Sequence, residues 1–202
     1  MFRKILLVSL FILFAVLSQA QERVFHAGLL GGISASQVDN DGFAHFNKLG
    51  IYAGGYILTE FSDKWIGEVG MTYVTKGSKE QQVSGQAYYG YKMTLGYIEF
   101  PFILKFRMHE WDIELGLSGG FLLHSKEENI WQEEAFSDSE FETFEFAAII
   151  GVNYSFDDKW GLNLRSSNSI LPIRYPTDNV YHPPLYGQRN IVLTLAVRYF
   201  VR

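Results

Sequence analysis

Apolar and polar residues alternate at period two in segment after segment of this chain, and that period belongs to extended strands with one greasy and one polar face. From Trp111 the odd positions carry Trp111, Ile113, Leu115, Leu117, Gly119, Phe121 and Leu123, against Asp112, Glu114, Gly116, Ser118, Gly120, Leu122 and His124. From Phe144 the apolar set is Phe144, Phe146, Ala148, Ile150, Val152 and Tyr154, facing away from Glu145, Ala147, Ile149, Gly151 and Asn153. Ile191, Leu193, Leu195, Val197 and Tyr199 oppose Val192, Thr194, Ala196 and Arg198. Trp65, Gly67, Val69, Met71 and Tyr73 oppose Ile66, Glu68, Gly70, Thr72 and Val74. Strands are expected near 24–34, 48–61, 64–77, 91–107, 110–125, 141–156, 159–170 and 188–201. The first two stay ambiguous in parity, and both faces of the second are fairly apolar.

The connections alternate in length. Ser62-Asp63, Met108-His109 and Asp157-Asp158 mark short turns, whereas 35–47, 78–90, 126–140 and 171–187 are long and polar. Short turns at one end and long loops at the other describe an outer-membrane barrel, with turns periplasmic and loops outside. The mean hydropathy of +0.00 suits strands that are half greasy and half polar, and no segment beyond the first residues is apolar for long enough to cross a membrane as a helix. The expected fold is therefore all-β: a closed antiparallel up-and-down transmembrane β-barrel of about eight strands. A local repeat supports the hairpins. Phe61-Ser62-Asp63-Lys64-Trp65 recurs as Phe156-Asp157-Asp158-Lys159-Trp160, with a looser copy from Phe106 to Trp111. The repeat places Trp65, Trp111 and Trp160, with Phe61, Phe106 and Phe156, at one level, where amphipathic rings form an interfacial girdle.

The first residues specify export. Arg3 and Lys4 precede an apolar run from Ile5 to Leu17, and Ser18-Gln19-Ala20 supplies the small residues of a cleavage site. This pattern is a signal peptide over 1–20, leaving a single barrel domain over 21–202. With Cys 0, neither lipid attachment to cysteine nor disulfides are available. The net charge of -5 falls to near -7 once Arg3 and Lys4 are removed. An acidic chain without a basic run argues against nucleic-acid binding.

A barrel of this size has an interior only wide enough for side chains. The charges expected there are Glu68, Glu99, Lys105, Arg107, Asp112, Glu114, Glu145, Arg165 and Arg198. Buried charges must be paired, so an internal network joining the glutamates to Arg165, Arg198 and Lys105 is expected to fill the lumen. Pro101 falls inside the fourth strand and cannot donate to the ladder, so a bulge or an unpaired position is expected at Glu99–Pro101.

Four stretches resemble one family. They are Gly28-Leu29-Leu30-Gly31-Gly32, the hairpin from Ser62-Asp63-Lys64-Trp65 to Thr75-Lys76-Gly77, the strand Leu95-Gly96-Tyr97-Ile98-Glu99-Phe100-Pro101-Phe102-Ile103-Leu104-Lys105, and Leu115-Gly116-Leu117-Ser118-Gly119-Gly120. Together they resemble the PorT-like outer-membrane β-barrel family of Bacteroidota, and the third stretch is the most specific. The resemblance implies an outer-membrane barrel. The family's namesake takes part in protein secretion, which makes a secretion or envelope complex an expected partner.

Motifs for chemistry are scarce. None of the five histidines, His26, His45, His109, His124 and His182, forms a metal-binding pair, and no nucleotide or hydrolase fingerprint occurs. No cofactor or metal is expected, and the chain reads as a non-enzyme. His124, Ser125 and Glu127 could suggest a lipid hydrolase, but adjacent strand residues point to opposite faces. The acidic loop 126–140, with Glu127, Glu128, Glu133, Glu134, Asp138 and Glu140 around Trp131, is a solvated loop or a Ca²⁺ bridge to lipopolysaccharide. The last loop holds Tyr175, Tyr181 and Tyr186 among prolines, a composition suited to partner contact. The expected role is a monomeric outer-membrane barrel with a filled lumen, contacting lipid and envelope proteins. A soluble lipocalin-like barrel binding a lipophile is the alternative, and its greasy face would point inward.

Overall fold

The computed structural model describes residues 25–39, 46–79, 90–128, 140–176 and 186–201. The expected signal peptide over 1–20 lies outside them. Eight strands follow in order: β1 (Phe25–Asp39), β2 (Lys48–Glu60), β3 (Trp65–Lys79), β4 (Lys92–Met108), β5 (Trp111–Glu128), β6 (Phe144–Ser155), β7 (Trp160–Ser169) and β8 (Arg189–Val201). Each pairs antiparallel with its neighbours, and β1 pairs with β8 from Ala27↔Val201 to Asp39↔Arg189, which closes the barrel. The alternation decides the faces. Leu29, Ile33, Leu49, Phe102, Leu115 and Ile150 are exposed outside, while Glu68, Lys105, Glu114, Arg165 and Arg198 are buried inside. A lipocalin has the reverse arrangement, so the faces run against the lipophile-binding alternative. The open parity of β2 resolves with Tyr52, Tyr56 and Leu58 inward and Ile51 and Ile57 outward.

Two ladders depart from regularity for identifiable reasons. β3 and β4 pair up to Val69↔Phe102 and resume at Thr72↔Glu99, skipping Phe100-Pro101 and the Gly70-Met71 opposite. Pro101 thus leaves an unpaired position and not a bulge. Gly70 makes room for its ring, because a β-carbon there would lie 3.1 Å from Pro101 Cγ. The bulge falls instead at Gly96/Tyr97, where the β5 partners change from Leu122 to His124 and Leu123 becomes the extra residue.

β1 runs five residues past its expected end, to Asp39. The reason lies across β2, whose pairing with β3 stops at Tyr52↔Val74. Beyond it the Ser34 and Ser36 hydroxyls reach over β2 and donate to the carbonyls of Thr75 and Gly77, at 2.7 and 2.9 Å. Gly50 on β2 has no side chain to block this crossing.

The repeated turns share one design. The Phe61 amide donates to the Trp65 carbonyl at 2.8 Å, and the Phe156 amide to the Trp160 carbonyl at 2.9 Å. In the first turn Ser62 Oγ accepts from the Trp65 amide at 3.3 Å. In the second, Asp157 Oδ1 accepts from the amides of Lys159 and Trp160, both at 2.7 Å, which holds its carboxyl below the usual carboxylate range. The third turn is His109-Glu110, one residue later than expected, between the pair Met108↔Trp111. His109 adopts φ 60, a left-handed conformation that a β-branched residue resists. His109→Gly should therefore leave the urea midpoint of the folded barrel unchanged or raised, while His109→Val should lower stability by about 1–2 kcal/mol, read from loss of the compact unboiled gel band.

Candidate functional site in the barrel lumen

The inward charges assemble in two tiers. Nearer the short turns, Glu68 and Glu114 lie among three cations. Lys105 Nζ is 2.8 Å from each carboxylate. Arg165 reaches Glu114 through Nε at 2.6 Å and Glu68 through Nη2 at 2.7 Å, and donates to the Tyr52 hydroxyl at 3.2 Å. Arg198 pairs with Glu68, lies 3.4 Å from Glu114, and stacks 3.8 Å above the Tyr56 ring. Asn163 donates to Glu114 at 3.0 Å. Nearer the long loops, Lys76 lies 2.5 Å from Glu99 and 2.7 Å from Glu145. Ser169 and Asn190 donate to the other oxygen of Glu145, the latter at 3.1 Å.

Lys76 is the member that the sequence reading missed. It continues the inward parity Glu68, Gly70, Thr72, Val74 within the expected strand 64–77, and the expected charge set omits it although its parity was available. With Lys76 the tiers hold four cations, Lys76, Lys105, Arg165 and Arg198, against four anions, Glu68, Glu99, Glu114 and Glu145. The tier nearer the short turns has one cation in excess and the tier nearer the long loops one anion, so the two tiers together are neutral. That balance matters because an unpaired charge in a dry interior costs several kcal/mol.

Arg107 and Asp112, which were grouped with this network, sit apart from both tiers at the short-turn mouth. Arg107 is about one-third exposed and pairs with Glu60 at 2.9 Å and Asp112 at 3.7 Å, while Asn153 donates to Asp112 at 3.3 Å. Glycines on the inner face give the charged side chains space. A β-carbon on Gly151 would come within 2.8 Å of Arg165 Cγ and 3.0 Å of Glu114 Oε2.

At the far mouth the barrel wall is extended by chain that the sequence assigned wholly to a loop. After β7 the backbone keeps irregular pairing with the chain that precedes β6 and β8. The Ile173 amide donates to the Gln188 carbonyl at 2.8 Å, the Gln188 amide to the Arg174 carbonyl at 2.9 Å, and the Glu142 amide to the Ile173 carbonyl at 2.8 Å. Ile173 is fully buried in one cluster with Met93, Leu95 and Tyr97. Arg174 pairs with Glu127 at 2.9 Å and lies 4.6 Å over Phe141. Glu127 is thereby committed, and it also accepts from the Tyr91 hydroxyl at 2.9 Å. His124 stacks outward on Tyr73, so His124, Ser125 and Glu127 are not assembled as a catalytic set. Tyr175 and Tyr186 are exposed beside the Arg174–Gln188 bridge, and Tyr181 lies outside the described residues. So do residues 129–139 of the acidic loop, with Glu133, Glu134 and Asp138. Among the described residues no group of three or more His, Cys, Asp or Glu side chains could hold a metal ion.

At the short-turn end, each tryptophan of the repeat meets an aromatic residue directly across the ladder. Trp65 faces Phe106, Trp111 faces Tyr154 and Trp160 faces Tyr199, with ring centroids 5.0, 4.7 and 4.8 Å apart. Tyr154 and Tyr199 were not singled out in the sequence, although they share the outward parity. Phe61 and Phe156 are exposed on the same rim.

A family model described as "Outer membrane protein beta-barrel domain" matches residues 18–173. The chain belongs to that family. It is thus a bacterial outer-membrane barrel, and its exposed apolar face is the face toward lipid. The match stops before β8, the strand that completes closure against β1. Among solved structures, the barrel is similar to Ail, the attachment invasion locus protein of Yersinia pestis, at 14% identity and TM-score 0.48 over 87% of this chain and 98% of that one. Neisserial surface protein A is similar at 13% identity and TM-score 0.48, over 87% and 96% of the two chains. OprG from Pseudomonas aeruginosa is similar at 12% identity and TM-score 0.45, over 89% and 97%. No curated protein matches the chain.

The outer-membrane barrel should depend on its lumen pairs unequally. Arg198→Met and Lys76→Met each strand buried carboxylates and should destabilise by about 3–5 kcal/mol. Arg107→Met, at the wet mouth, should cost under ~1 kcal/mol. Urea titrations of the refolded protein, followed by the compact gel band, measure all three.

Proposed function

We propose that this is a PorT-like barrel of the Bacteroidota type, with a closed lumen and a structural or interaction role at the cell envelope, not an enzymatic one. The observation that carries the reading is the neutral pairing of all eight central lumen charges, together with the burial of Ile173 and Arg174 near the outer mouth. An interior filled in this way offers no continuous wet path. The residues from Leu95 to Lys105 support the PorT-like assignment, since that stretch most resembles the family. A signal peptide over 1–20 delivers the chain to the envelope. Ring closure pairs both edges of the sheet, so the barrel acts as a monomer.

In this reading the rings of Trp65, Trp111, Trp160, Phe61, Phe106 and Phe156 form the girdle at the periplasmic interface, with the N–H of each indole near water. The long loops then face outward. Tyr175, Tyr181 and Tyr186 give the last loop rigid aromatic surface for a partner in a secretion or envelope complex.

Two measurements test the reading. In planar bilayers under concentrated KCl, the purified barrel should give no resolved conductance steps, and porin-sized steps would overturn the closed lumen. Replacing residues 175–186 by a Gly/Ser linker should leave the heat-dependent gel shift intact and abolish cross-links to envelope proteins. Unchanged cross-links would remove the loop from the proposed contact.

A further inference from the structure

The sequence has no basic run, yet the barrel gathers one on its outer surface. Lys79 at the end of β3 lies directly across the ladder from Lys92 at the start of β4. Lys92 in turn lies across from Glu128, and Lys126 extends from the same end of β5. Two like charges directly opposite each other destabilise a strand pair. The local acid only partly offsets this: Glu128 lies 3.6 Å from Lys92 and 2.5 Å from Lys126, and Lys79 has no acidic partner among the described residues. Three ammonium groups thus face outward around one carboxylate. The opposite rim is different, since Lys64 and Lys159 each sit next to an aspartate in their turns.

Height and neighbours indicate what the lysines meet. With ~3.3 Å rise per residue and a tilt of ~40°, an apolar band ~25 Å tall takes up roughly ten residues of strand. Counted from Trp65, that band ends near Thr75, so Lys79 stands roughly 10 Å above it, at headgroup level. Below the lysines the same strands present an aromatic panel. Tyr73 stacks on His124, and Phe121 packs edge-on against Phe100 and Phe144, at 6.4 and 5.4 Å. Positive charge above an aromatic, lipid-facing surface fits an anionic headgroup whose chains lie on the rings.

We propose that Lys79, Lys92 and Lys126 bind the phosphate of an outer-leaflet lipid, with Tyr73, His124 and Phe121 supporting its acyl chains. The ammonium groups act as point charges on the phosphate oxygens, and the phosphate relieves the Lys79–Lys92 repulsion. The proposal rests on the reading that the long loops face outside.

The test uses the full-length barrel in neutral detergent, with retained lipid read by native mass spectrometry. Wild type should retain diphosphoryl lipid A, and the K79Q/K92Q/K126Q variant should retain on the order of tenfold less. Dephosphorylated lipid A should bind wild type as weakly as diphosphoryl lipid A binds the variant. A K64Q/K159Q control at the other rim should match wild type. Equal retention by wild type and the K79Q/K92Q/K126Q variant overturns the proposal, as does displacement of the lipid by equimolar inorganic phosphate, which would reveal a simple anion site. The heat-dependent gel shift of the K79Q/K92Q/K126Q variant shows that it is folded. Protease added to whole cells separately tests loop orientation: cleavage within the long loops with unchanged lipid retention by the variant rejects this inference alone, whereas protected loops reject the orientation beneath it.

Discussion

In the hydrocarbon of a membrane a backbone amide has no water to bond, so every strand edge must find another strand. The β1–β8 ladder is the answer this chain gives, and most of the rest follows from it. Closure with eight strands fixes a narrow bore. A narrow bore cannot hold bulk water, so each charge placed there must find a partner within reach. The pairing of four cations with four anions is what a ring this narrow asks of the charges it encloses.

Within that bore, geometry allocates the partners. Arginine brings several donors to one carboxylate, and Arg165 bridges Glu68, Glu114 and Tyr52 at once. Such a node ties β7 to β2, β3 and β5 across the interior, connections that neighbouring ladders cannot make. Arg198 on β8 does the same and rests on Tyr56, whose ring lies over Gly28, where any side chain would collide with it. The glycines of the inner face therefore follow from the bulk of the ion pairs. Small residues and large charges belong to a single packing solution.

The fold was legible in the sequence because period two is a direct imprint of the face each residue meets. Trp111 to Leu123 announces its strand without any tertiary information. Features that depend on a partner strand were not legible. Ser34 reads as a strand end and Ser36 as the start of a loop until β3 supplies the carbonyls they bond. Lys76 reads as a loop-proximal lysine until Glu99 and Glu145 flank it. Ile173 reads as loop because its burial is created by Met93, Leu95 and Tyr97, far away in the chain. Lys79 and Lys92 are separated by a long polar stretch, and Lys92 and Lys126 by most of two strands, so only the ladder register brings the three together. Pro101 was half legible: proline forbids a ladder bond, but whether the chain bulges or skips depends on Gly70 opposite.

The two ends of the barrel are built for different demands. At the short-turn end, backbone bonds and cross-strand aromatic pairs repeat nearly identically in two of the hairpins, which is what a uniform slab of lipid asks for. At the long-loop end nothing repeats. β1 leans over β2 to reach β3, β5 carries a bulge, and the segment after β7 pairs irregularly with both neighbours. The Arg174–Gln188 bridge pins the base of the last loop, so Tyr175 and Tyr186 emerge from fixed positions on either side of it. Surface held in that way loses little conformational freedom when it meets another molecule. Irregularity is concentrated where the environment varies, and the regular half beneath it supplies the stability that makes such irregularity tolerable.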